Sequence, residues 1–146
     1  MQLELVCEMD FSYRTGPLYD GPFQYVVPYG TQEASLYGEG DAVFRGERLS
    51  GTARFVNHAR RRSDGVNLPS VHGIIRTDDG GIVLFTLEGR TLTPQDGKRR
   101  LLSSILFESE AERYRWLNDA VCVLEGSLRS GGTTSTRIYR CVPELD

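Results

Sequence analysis

The stretch Val71-His72-Gly73-Ile74-Ile75-Arg76-Thr77, Asp78-Asp79-Gly80-Gly81, Ile82-Val83-Leu84-Phe85-Thr86-Leu87 decides the fold class. Two runs rich in β-branched and aromatic residues flank four turn residues. Asp and Gly tolerate the positive φ that tight hairpin turns require, so 71–87 reads as a β-hairpin. Its second arm is apolar on both faces, which marks a central strand with a neighbour on either side.

The pattern repeats in both directions. Toward the C-terminus, Arg90 to Thr93, the turn Pro94-Gln95-Asp96-Gly97 and Leu101 to Glu108 form a second hairpin. Ser109-Glu110-Ala111-Glu112 has the form of a capping box and predicts a helix over 110–118, with Ala111, Tyr114 and Leu117 on one face and Asn118 at its stop. Val121 to Leu128, the turn Ser130-Gly131-Gly132 and Ser135 to Val142 make the last hairpin. Toward the N-terminus, Ser50 to His58 reads as a strand that leaves through a charged loop, Arg60 to Gly65. Residues 33–37 and 41–45 read as a short hairpin around Gly38-Glu39-Gly40, and Phe23 to Tyr29 as a further run. In 2–13, Leu3, Leu5, Cys7, Met9 and Phe11 alternate with polar residues, broken only by Val6.

These elements predict one all-β domain over 1–146 with about eight to ten strands and one short helix. Short turns between successive strands favour a closed antiparallel up-and-down β-barrel, which leaves no open edge. A β-sandwich is the alternative.

Composition narrows the function. A length of 146 residues suits one domain with a full core. A net charge of −3 gives no basic excess for general nucleic-acid binding. Arg60-Arg61-Arg62 therefore reads as a solvated loop, and no nucleic-acid partner is expected. Cys7, Cys122 and Cys141 are odd in number and sit in apolar runs, as buried free thiols in a reducing compartment do. The start of the chain lacks the pattern of a signal peptide, and no run approaches the ~18 apolar residues of a membrane helix. A cytoplasmic protein without a membrane partner is the expectation. Neither metal-ligand spacing nor a nucleotide-binding or nucleophile-elbow motif is present, so no metal and no cofactor are expected.

Several segments carry a family resemblance. Arg45-Gly46-Glu47-Arg48-Leu49-Ser50-Gly51, Arg76-Thr77-Asp78-Asp79-Gly80-Gly81-Ile82, Phe107-Glu108 with Tyr114-Arg115-Trp116-Leu117-Asn118, and Ile138-Tyr139-Arg140-Cys141-Val142 stand in order across 38–142. The chain resembles the small bacterial proteins of the domain of unknown function 3237, also called UPF0311. The resemblance implies a compact antiparallel barrel that often self-associates, and implies no reaction. Apolar residues on both faces of several strands fit a homodimer, with one face inside and the other at a subunit interface. Where that family tends to show Gly-Gly-x-Asp-Trp, this chain has Gly51-Thr52-Ala53-Arg54-Phe55, with a base for an acid and Phe for Trp.

The candidate catalytic residues are His72, Arg76 and Arg54. Period two puts His72, Ile74 and Arg76 on one face. If that face lines the barrel, His72 and Arg76 stand about 13 Å apart along one wall. One could move a proton while the other holds an anionic oxygen. Arg54 lies mid-strand and could grip a carboxylate or enolate, and His58 shares its face. Asp78 and Asp79 read as turn residues. Aromatics are dense near the start, at Phe11, Tyr13, Tyr19, Phe23, Tyr25, Tyr29 and Tyr37. Part of the set must be core. A rim of Tyr suits a flat or polycyclic ligand, with Tyr25, Tyr29, Tyr37, Phe55 and His58 the candidate contacts. Trp116 is a further contact candidate, and with Asn118 it could plug one end of the barrel. The function expected first is a cofactor-independent cyclase, isomerase or lyase acting on an apolar or polycyclic metabolite in a bacterial biosynthetic pathway. The alternatives are a ligand carrier with the same pocket and a structural barrel with a filled interior.

Overall fold

The structure, a computed structural model, describes residues 1–16, 18–30, 32–93, 96–129 and 134–146. The strands are β1 (Gln2–Arg14), β2 (Gln24–Val26), β3 (Ala34–Arg45), β4 (Gly51–Arg61), β5 (Asn67–Leu68), β6 (Ser70–Thr77), β7 (Ile82–Leu92), β8 (Arg100–Glu108), β9 (Cys122–Leu128) and β10 (Thr134–Val142). A 3-10 helix, Glu112–Asp119, joins β8 to β9. Eight strands close a ring in the order β1, β3, β4, β6, β7, β8, β9, β10 and back to β1, with every pairing antiparallel. This is the closed up-and-down barrel that the hairpin pattern predicts, and the sandwich is excluded. The short strands β2 and β5 pair with β3 and β4 and lengthen the wall at one end.

Alternation decides what fills the barrel. Along β4, Gly51, Ala53, Phe55, Asn57 and Ala59 are buried while Thr52, Arg54, His58 and Arg60 are exposed. On β8, Leu101, Ser103, Ile105 and Phe107 point inward. Strand β1 changes phase on the way. Leu5 pairs with Tyr139 and Cys7 with Ile138, so Val6 is a bulge residue. One extra residue turns Leu3 and Leu5 to the outside, where they are 55% and 54% exposed, although they share parity with the buried Cys7 and Met9.

Several expected boundaries are corrected. Residues 33–37 and 41–45 do not form a hairpin: Ala34–Arg45 is one continuous strand, β3. Gly38 and Gly40 make room rather than a turn. A Cβ on Gly40 would lie 2.5 Å from the Phe55 ring, and one on Gly38 would lie 2.9 Å from the Phe23 ring. Arg60 and Arg61 belong to β4 rather than to a loop, and 90–92 continue β7. Pro94-Gln95 of one expected turn, and all of Ser130-Gly131-Gly132, lie outside the described residues.

The helix forms, but the capping box does not: Ala111 is the cap residue and no side chain caps it. The Ser109 hydroxyl instead donates to the Ile82 carbonyl at 2.6 Å. The Asn118 side chain ties both backbone groups of Ser109, at 2.7 and 2.8 Å. Tyr114 and Leu117 are three residues apart, a spacing that stacks them on one side of a 3-10 helix, and both are buried.

That helix, the 46–50 turn and the 78–81 turn lie at the same end of the barrel, which is packed solid. Phe44, Ile75, Val83, Ile105, Leu117, Cys122 and Ile138 are all 0% exposed. All three thiols are free, and Cys7 and Cys122 are buried. At the 78–81 turn, Gly80 adopts φ 87°. Asp79 accepts hydrogen bonds from Thr77, Tyr114 and Arg113. Chiefly the Thr77 hydroxyl, then the Tyr114 hydroxyl and the Arg113 guanidinium, hold its carboxyl far below the usual carboxylate range. Asp78 accepts from Ser50 at 2.8 Å. Both aspartates thus serve the turn, as their neighbours in sequence indicate.

Because the folded Asp79 holds its proton less tightly than the unfolded chain does, its contribution is present above the ordinary carboxylate value of 3.8 and is lost as pH falls below it. Urea unfolding in neutral and in acid buffer is expected to show that loss. The acid-dependent part should be smaller in Asp79→Asn, whose neutral stability is already reduced.

Candidate functional site

The other end of the barrel is hollow. A cavity of about 560 Å³ opens between β2, β5 and the loops at that end. An eight-stranded barrel is just wide enough to be filled by side chains or to hold one small ligand. Here several inward positions near the mouth, Gly38, Asn57, Ala59 and Thr91, are small or polar, while Leu36 and Phe23 pack to one side. The floor is apolar and includes Met9, Phe55, Val71, Phe85, Leu87 and Leu101.

One wall is an aromatic ladder. Phe11 meets Phe55 edge-on at 5.8 Å, Tyr13 meets Phe55 at 5.4 Å, and Phe23 tilts against Tyr13 at 4.5 Å. Offset and edge-on contacts of this kind fix the rings without filling the space between them and the opposite wall.

Tyr13 carries the polar chemistry of the interior. Asn57 Nδ2 donates to its hydroxyl oxygen at 3.0 Å. The other end of that amide, Asn57 Oδ1, accepts from the Ser70 backbone N–H at 3.1 Å, which fixes its orientation. Burial pushes the Tyr13 hydroxyl up to about 12, against the smaller opposing effects of Asn57 and Arg99. Tyr13 is therefore protonated at neutral pH. Its oxygen already accepts one hydrogen bond, and its O–H stands as a donor among the cavity-lining groups.

Arginines occupy the mouth. Arg61, Arg99 and Arg129 line the cavity, with no Asp, Glu, His, Cys or Lys among the described lining residues. Arg61 Nε donates to Asn67 at 3.3 Å, and its guanidinium lies 5.2 Å from the centre of the Tyr25 ring.

Of the candidates named from sequence, Phe55 and Tyr25 line this cavity. His72, Arg76, Arg54 and His58 do not: all four are exposed on the outer wall. Arg54 is 75% exposed and lies 4.0 Å from Asp41. The idea of a His72–Arg76 wall inside the barrel is corrected by parity. Val71, Gly73 and Ile75 point inward, and Gly73 leaves room for Phe85, whose ring a Cβ there would meet at 2.3 Å. Tyr37 is also on the outer face, hydrogen-bonded to Glu39 and edge-on to His58. Tyr29 is 77% exposed and away from the lining. Trp116 sits at the solid end, with the Arg48 guanidinium 3.7 Å above its ring.

Sequence reading missed Asn57, Arg99 and Arg129, set Arg61 aside as part of a solvated loop, and counted Tyr13 only among the aromatics dense near the start of the chain. For two of them the signal was present. Asn57 and Arg61 share parity with Phe55 and Ala59, and the smaller apolar members of a strand face mark its inward side.

No family model matches the chain, and no curated protein matches it. Solved structures do. A β-barrel-like protein from Acinetobacter baumannii superposes with a TM-score of 0.79 at 17% identity, over 96% of this chain and 96% of that one. A protein with unknown function from Clostridium acetobutylicum gives 0.81 at 15% identity, over 95% and 97%. An enzyme from Penicillium herquei gives 0.70 at 17% identity, over 94% and 93%. At these identities the likeness establishes a shared fold.

Proposed function

We propose that the protein is a small-molecule-binding barrel that encloses an apolar or polycyclic organic molecule in its interior cavity. The observation that carries this reading is the contrast between the two ends. One half of the barrel is packed solid, while the other keeps a hollow of about 560 Å³, within the range of small-molecule sites. The lining supplies aromatic faces and one oriented hydroxyl donor, a combination that holds a flat ring system bearing a carbonyl or phenolic oxygen.

A second reading, turnover without a cofactor as a cyclase, isomerase or lyase, is favoured by the Tyr13–Asn57 pair. A protonated hydroxyl in a desolvated pocket stabilises an enolate or oxyanion as it forms, and an enclosed flexible substrate is held near a reactive conformation. The fungal structure of the same fold is an enzyme, which supports this reading. Membership of the domain of unknown function 3237 family also belongs to the proposal. Its support is the resemblance of the Arg45–Gly51, Arg76–Ile82 and Tyr114–Asn118 segments, which the fold brings together at the solid end of the barrel.

The test is calorimetric titration with naphthamide, an uncharged aromatic probe with one acceptor oxygen. Wild-type protein is expected to bind it. Tyr13→Phe should bind a hydroxynaphthamide, whose ring oxygen accepts from the Tyr13 hydroxyl, about fivefold more weakly than wild type does, the worth of one neutral hydrogen bond. No heat at millimolar probe would contradict an enclosed site.

A further inference from the structure

The cavity has a charged collar at its mouth that its apolar floor does not need. Arg61 is the last residue of β4, Arg99 precedes β8 and Arg129 follows β9. The Leu128 N–H donates to the Arg99 carbonyl at 3.0 Å, so Arg99 and Arg129 stand next to each other across neighbouring strand ends. Arg14, Arg45, Arg62, Arg100 and Arg113 each pair with an aspartate, whereas Arg48, Arg60, Arg76, Arg90, Arg115 and Arg140 on the outside have no ion pair among the described residues. What sets the collar apart is its place around one cavity. The three collar arginines have no acidic partner within ion-pair distance among the described residues.

Three cations at the rim of a cavity with an apolar floor, Arg61 half-buried and Arg99 and Arg129 exposed, direct a positive potential into it, although the protein as a whole carries −3. A guanidinium grips a carboxylate through two parallel hydrogen bonds, and it does so best where water is partly excluded. Arg61 is partly pre-oriented, because Asn67 holds its Nε and the Tyr25 ring lies against it.

Building on the enclosed-ligand reading, we infer that the ligand is an aromatic or polycyclic organic acid. Its ring system enters first between Phe11, Phe55 and Phe85. Its carboxylate stays at the mouth in the grip of Arg61, Arg99 and Arg129. An oxygen on the ring near mid-depth accepts from the Tyr13 hydroxyl. Anionic character thus selects the ligand and sets its direction of entry.

The test compares naphthoate with naphthamide by calorimetry at low salt. It uses wild-type protein, the triple variant Arg61→Gln/Arg99→Gln/Arg129→Gln and the cavity-blocking variant Thr91→Trp. Wild-type protein is expected to bind naphthoate at least about tenfold more tightly than naphthamide, as one bidentate charged contact provides. Added salt should shrink that preference. The triple variant, folded as judged by its melting temperature, should bring the ratio of the two affinities close to one. Equal affinities in the wild type, or a preference kept by the triple variant, would overturn the acid assignment. In that case binding of both probes that is lost in Thr91→Trp would leave the enclosed-ligand reading standing. Failure of both probes to bind wild-type protein would overturn the two readings together.

Discussion

Phe44→Ala is expected to lower the unfolding free energy by about 3–5 kcal/mol. Phe44 is 0% exposed, and its ring sits edge-on to Phe85 at 5.5 Å. Truncation there leaves a sealed void with no water to fill it, so the lost transfer energy and the lost contacts add. Phe11→Ala is the control. Phe11 is half-buried and faces the cavity. One side of its ring already lacks neighbours, so truncation enlarges an existing space and should cost only about 1–2 kcal/mol. Urea unfolding with an unchanged denaturant slope measures both variants. Equal costs would show that the interior is packed alike from end to end, and the hollow would have to be given up.

Thr91→Trp is expected to abolish binding of an aromatic probe, with affinity falling by about a hundredfold or more, while the melting temperature stays within a few degrees. Thr91 points inward from β7 near the mouth, is half-buried and lines the cavity. An indole there occupies the space that a ligand ring would take, and the open cavity accepts it without the strain of overpacking. Val71→Trp, placed deeper on β6, should act in the same way and guards against a local effect of the first substitution. A variant that is folded and still binds would place the probe elsewhere. The outer hollow that includes Leu3, Leu102, Val123 and Tyr139 is the competing surface.

The fold was legible because hairpin chemistry is local. The Asp78-Asp79-Gly80-Gly81 turn and the runs on either side of it carry their own geometry, and repeated short turns leave few topologies other than a meander. The closed ring also explains the two-sided apolar pattern of 82–87. Every strand of a barrel is central, so Ile82 and Leu84 pack along the outer wall beside their neighbours and are still 36% and 48% exposed. What could not be read was the phase of each strand relative to the interior. On β6 both faces carry an isoleucine, and only pairing with β7 shows that Gly73 yields to the Phe85 ring. On β1 the Val6 bulge reverses the phase in mid-strand, an event that depends on its partner β10. The glycines of β3 looked like turn residues because their role, giving way to Phe55 and Phe23, involves contacts distant in sequence.

The site was less legible for the same reason. His72, Arg76 and Arg54 drew attention by chemical type, yet parity with buried neighbours puts them outside. Tyr13 and Asn57 lie 44 positions apart and meet only when β1, β3 and β4 come together. The collar arginines come from three separate strand ends, and only closure of the ring collects them.

The most direct test of the account is a crystal structure of the protein soaked with naphthoate. The rings should lie inside the barrel against Phe11 and Phe55, with the carboxylate within ion-pair distance of at least one of Arg61, Arg99 and Arg129. Naphthoate found on the outer wall at Leu102 and Tyr139, or a barrel whose open half is filled by its own side chains, would contradict it.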